Sequence, residues 1–134
     1  MDEARLSYEE ALTIRRKLAQ TNPETYLATV AQTLDGLGEL DRDQNRPEEA
    51  RHAFEEALTI RRQFAQKNSE SYLPKIAETL GNLAVLDRFQ NRMDEARKAS
   101  EEALTIYQDF AKQDPEQFSP DLTRVKELLE QLPR

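Results

Sequence analysis

Turned at 100° per residue, Ala31, Leu34, Leu37, Asp41 and Gln44 fall within one broad arc, and Ala77, Leu80, Leu83, Asp87 and Gln90 repeat that arc. Such an arc predicts the packed face of an amphipathic helix. Turn signals divide the remaining chain in the same rhythm. Asn22-Pro23-Glu24, Asn68-Ser69-Glu70 and Asp114-Pro115-Glu116 each offer a side-chain acceptor, a Pro or Ser at the first helical position and an acid in the first turn, so helices start there. At Gln44-Asn45-Arg46-Pro47 and Gln90-Asn91-Arg92-Met93 an Asn can take the left-handed conformation that closes one helix, and Pro47 can open the next. The predicted helices are 2–20, 23–44, 47–66, 70–90, 93–112 and 116–131. Pro74 and Pro120 fall inside two of them, so either the main helix starts late, with Ser119 capping Pro120, or the first turn is a separate short turn.

The rhythm is a tandem repeat. EEALTI occurs at 9–14, 55–60 and 101–106, and laying 1–46 over 47–92 gives about 27 identities without a gap. Helices of roughly 20 residues joined by short connections must run antiparallel, giving a stack of hairpins. The predicted fold class is all-α. As a single array of 134 residues it divides into a half-repeat helix at 1–21, hairpins at 22–67 and 68–113, and a C-terminal capping helix at 114–134. Lys126 and Glu130 replace the apolar Leu80 and Ala84 of the preceding copy, so a natural array end is expected at 134 and a cut or open end at 1.

Alanines seven apart (Ala4 and Ala11, Ala50 and Ala57, Ala96 and Ala103) let backbones approach closely. A large residue lies between them, Tyr8 or Phe54, with Ser100 in the third copy. Together with Leu34, Leu37, Gly38 and Leu80, Leu83, Ala84, this resembles the tetratricopeptide repeat. The 46-residue period and the segments YLATVAQTLDGLGEL and YLPKIAETLGNLAVL resemble its longer-helix, kinesin-light-chain-like subclass. The resemblance implies a right-handed solenoid of about six helices that binds proteins or peptides on a concave face lined by the first helix of each hairpin.

Composition and charge narrow the chemistry. No apolar run approaches the ~18 residues of a membrane span, there is no cysteine, and the opening MDEARLSYEE is unlike a secretory signal, so a cytoplasmic protein is expected. The net charge of -7 repels nucleic acid and anionic membranes. His52 is the sole histidine and reads as a solvated helix position, which leaves no metal or cofactor site expected. The doublets Glu9-Glu10, Glu55-Glu56 and Glu101-Glu102 read as partners of Arg5, Arg51 and Arg97 one turn earlier. Tyr26, Tyr72 and Phe118, and Thr13, Thr59 and Thr105, recur at the repeat period, which points to packing or to backbone bonding by the Thr hydroxyl. No phosphate loop or nucleophile motif is present, and no enzyme is expected.

The positions that differ between copies carry the functional expectation. Gln32/Glu78, Gly36/Asn82, Glu39/Val85 and Asp43/Phe89 lie within about 60° of one another opposite the packed arc, with Asp35/Gly81 on the flank. They read either as drifting solvent surface or as a tuned binding face. Some family members grip a peptide C-terminal carboxylate with a Lys and an Asn on this face. Asp35 and Glu39 stand there instead, against an acidic ligand. The expected ligand is a basic or amphipathic peptide or helix with cations over Asp35, Glu39 and Asp43, an apolar anchor near Val85 and Phe89, and Arg42 and Arg88 at the rim. The alternative is self-association, a homodimer through an uncapped first helix bearing Leu6, Tyr8, Leu12 and Leu18, and a third reading is a regulator within a larger protein.

Overall fold

A computed structural model describes residues 3–133. Six helices follow in order: α1 (Glu3–Thr21), α2 (Pro23–Asp43), α3 (Pro47–Ala65), α4 (Ser69–Phe89), α5 (Met93–Gln113) and α6 (Pro115–Gln131). Caps explain why the boundaries fall where the turn signals lie. The side chains of Asn22, Asn68 and Asp114 accept from the amides of Thr25, Ser71 and Gln117 at 3.3, 3.2 and 3.2 Å, each satisfying an orphan donor of the first turn. At the other ends Asn45 and Asn91 adopt φ of 60°. Arg46 N–H then reaches back to Asp41 O, and Arg92 N–H to Asp87 O, each at 2.7 Å, closing the helices with a six-to-one bond.

The prolines correct the expectation of a late or divided helix start. Pro74 and Pro120 lie inside continuous helices whose caps are Asn68 and Asp114, and exposed Ser119 caps nothing, being part of α6. Each ring removes one bond, to the carbonyl four residues back. Those carbonyls belong to exposed Glu70 and Glu116, where water can serve them.

The chain forms two compact units, 1–64 and 65–134. In the first, α1 and α3 pack on α2. Ala19, Val30, Ala31, Leu34, Ala53, Ala57 and Ile60 form its core, with Leu12, Tyr26, Leu27 and Phe64 against it. Close approach is bought at two glycines of α2: a Cβ at Gly36 would lie 2.6 Å from the Tyr8 ring, and one at Gly38 would lie 2.6 Å from the Phe54 ring. In the second unit α5 packs against both α4 and α6. The small residue Ser100 is fully buried in α5, and Ala84 stands in α4 where Gly38 stands in α2. The Gly38–Phe54 match of the first hairpin is thus replaced by a more even pair of sizes. Phe110 and Phe118 tie α5 to α6, ring centroids 5.4 Å apart and tilted by 55°.

The recurring threonines bond to the backbone as expected. Thr13, Thr59 and Thr105 donate to the carbonyls of Glu9, Glu55 and Glu101 at 2.9, 3.0 and 3.1 Å. The arginine doublet partners are partly different from expectation. Arg5 lies 3.8 Å from Glu9 yet also pairs with buried Asp41, and Arg97 donates to the Pro133 carbonyl.

Candidate functional site

In the first unit the outward stripe of α2 is narrower than the sequence implies. Gln32, Glu39 and Asp43 are exposed, and half-buried Arg42 lies 3.5 Å from Asp43. Asp35 is a correction: it is buried and ion-paired with buried Arg61 of α3, so it cannot present its charge to a ligand in this arrangement. A carboxylate taken out of water needs such a partner. Gly36 is half-buried, with the Tyr8 ring against it. Arg15 reinforces the same layer by donating to Thr33.

In the second unit Glu78 is exposed, Gly81, Asn82 and Val85 are half-buried, and Phe89 is 77% exposed. Arg88 donates to the Gln131 side chain, which links α4 to α6. A Cβ at Gly81 would meet nothing within 4 Å, so this face of α4 is open.

The structure also shows a feature that the repeat pattern did not reveal. A cleft of about 440 Å³ lies among α4, α5 and α6, lined by Glu70, Pro74, Glu78, Tyr107, Phe118 and Asp121, among others. Tyr107 is only 5% exposed. Burial raises the pKa of its phenol well above the ordinary value, the carboxylates of Asp121 and Glu78 add to that, and Arg124 opposes it. The signal in sequence was faint: Tyr107 replaces the arginine found at 15 and 61.

On α1, Leu6, Ile14 and Leu18 are 44%, 59% and 40% exposed. Tyr8 and Leu12 are half-buried, with one side of Tyr8 over Gly36 and one side of Leu12 against the core of the unit. Ile14 was missed, although its counterparts Ile60 and Ile106 are buried. His52 is exposed. Among the described residues no three His, Cys, Asp or Glu side chains gather as for a metal ion, and no helix is long and apolar enough to cross a membrane.

Antiparallel helical hairpins repeated at a fixed period define an all-α repeat protein. Comparison with protein families matches the tetratricopeptide repeat at residues 30–63 and 76–109, which fall within α2–α3 and α4–α5 and together cover half of the chain. The chain belongs to the tetratricopeptide repeat family, a protein-interaction fold. No curated protein matches it.

Proposed function

We propose that this chain is a protein-interaction scaffold that takes a basic or amphipathic peptide or helix on the outward faces of its first-type helices. It acts by shape and charge complementarity, without turnover. The observation that carries the reading is the chemistry of those faces: Glu39 and Asp43 are exposed on α2, and Glu78 and a 77% exposed Phe89 on α4. Exposed carboxylates on both helices and an exposed phenylalanine on one of them are groups that an amphipathic cationic partner would cover. The long helices and 46-residue period favour the kinesin-light-chain-like subclass, and a cytoplasmic setting fits a chain with no cysteine.

The test is fluorescence anisotropy with a labelled helix-forming peptide of alternating Lys and Leu turns, run across ionic strength. Reversing Glu39 and Asp43 to Lys is expected to weaken binding and flatten its salt dependence. Unchanged affinity and slope would dispose of the α2 face.

A second reading, self-association through α1, is favoured by the exposure of Leu6, Ile14 and Leu18. Light scattering at rising concentration separates the two readings. A dimer lost on changing Ile14 and Leu18 to Gln would support the second.

A further inference from the structure

The second unit holds a cleft lined by a phenol, by apolar side chains and by carboxylates from two helices. We propose that the cleft among α4, α5 and α6 receives an arginine side chain of the bound peptide, its guanidinium between Glu78 and Asp121 and against the Tyr107 hydroxyl. This rests on the reading of the chain as a peptide-binding scaffold. It adds which side chain is recognised and where.

Three observations meet at this place. The first is size: about 440 Å³ is within the range of small-ligand sites, roughly 300 to 1,000 Å³, and suits one long side chain with its backbone. The second is charge. Glu70 and Glu78 come from α4 and Asp121 from α6, while the cations nearby are Lys75, which lines the cleft, and Arg124, which lies 3.0 Å from Asp121. Arg124 is 73% exposed, so its pairing with Asp121 is a solvent-screened contact of little strength that an incoming guanidinium can displace. The third is independent of the carboxylates. Tyr107 is 95% buried by its 5% exposure, lines the cleft, and has no hydrogen bond to its hydroxyl from another described residue. The ring is buried while the residue lines the cleft, so the cleft is where a partner for its hydroxyl would stand.

Arginine fits this set better than lysine. Its planar fork offers five donors in fixed directions, matching acceptors that arrive from two helices and from the phenol. Pro74, Phe110 and Phe118 supply an apolar wall for the stem and a ring face for the guanidinium.

The experiment titrates the isotope-labelled full chain with acetyl-Ala-Leu-Arg-Leu-Ala-amide, with its citrulline counterpart, and with its lysine counterpart, following backbone amide shifts. The arginine probe is expected to perturb Glu78, Tyr107 and Asp121 and to bind about tenfold tighter than the citrulline probe, because citrulline keeps the shape and loses the charge. Tyr107→Phe, which keeps the ring, should weaken the arginine probe about three- to tenfold. The double variant Glu78→Gln, Asp121→Asn should erase the preference over citrulline, with helix content unchanged. Equal binding of arginine and citrulline, or of arginine and lysine, overturns the inference. Shifts confined to Val85, Phe89 and α2 would overturn it while leaving the scaffold reading intact. If neither these probes nor the longer Lys and Leu peptide binds, both fall.

Discussion

Three glycines on first-type helices present three different surroundings to the same added methyl group, so replacing each by alanine reads the packing directly. All three have negative φ, which means that alanine suits the backbone and should gain about 0.4 to 1 kcal/mol from helix propensity and reduced unfolded-state freedom. The packing term differs. At Gly81 the new Cβ meets nothing within 4 Å, so Gly81→Ala should stabilise by about 0.5 to 1 kcal/mol. At Gly36 the methyl would lie 2.6 to 2.9 Å from the far edge of the Tyr8 ring, which is half-buried and can swing outward; the two terms should nearly cancel. At Gly38 the contact is 2.6 Å to Phe54, fully buried and without room to retreat. Overpacking of about 1 to 3 kcal/mol offsets the gain there, giving a net loss of up to about 2.5 kcal/mol. Urea melts followed by circular dichroism rank the three variants, and Phe54→Leu should remove the penalty of Gly38→Ala by opening space above it. A destabilising Gly81→Ala, or a Gly38→Ala as stabilising as Gly81→Ala, would refute the packing described for α2 and α4.

The remaining predictions concern charge and caps. Arg61→Met removes the guanidinium paired with buried Asp35 and should cost about 3 to 5 kcal/mol by denaturant melts, whereas Arg61→Met with Asp35→Leu should recover most of it. Asn91→Ala forces a Cβ-bearing residue without a local side-chain hydrogen bond into φ of 60° and should cost about 1 kcal/mol in the same melts, while Asn91→Gly should be neutral or slightly stabilising. The Tyr107 phenol is held neutral because burial and then the neighbouring carboxylates raise its pKa. Its contribution to stability is therefore complete below the ordinary value of 10.0 and is lost as pH rises beyond it. Stability should fall more steeply above about pH 10 in the natural chain than in Tyr107→Phe, and ultraviolet titration should show a tyrosine ionising above the ordinary range that is missing from Tyr107→Phe.

Much of the fold was written in short-range signals. Asn22, Asn68 and Asp114 act on amides three residues away, and Asn45 and Asn91 act on their own φ, so the ten helix ends at these five breaks could be read within about one residue. The prolines misled because the cost of a missing bond is small in the first turns of a helix, where the freed carbonyl faces water. The Asp35–Arg61 pair was hidden for a different reason. It joins positions 26 residues apart, and the following copy replaces both members, with Gly81 and Tyr107, so the difference at 35 looked like surface drift rather than a coordinated exchange. The same exchange that buries Tyr107 leaves Gly81 open. The cleft could not be found without bringing α4, α5 and α6 together. On α1, Leu6 and Leu18 are exposed and Tyr8 and Leu12 half-buried, while exposed Ile14 was hidden because its counterparts at the repeat period, Ile60 and Ile106, are buried.

The claim that ligands are taken on the first-type helices is most directly tested by mapping amide shifts of the labelled chain against the Lys and Leu peptide. The account predicts perturbations at Glu39 and Asp43 on α2 and at Glu78, Val85 and Phe89 on α4, with α1 silent. Perturbations centred on Leu6, Ile14 and Leu18, or none at saturating peptide, would contradict it.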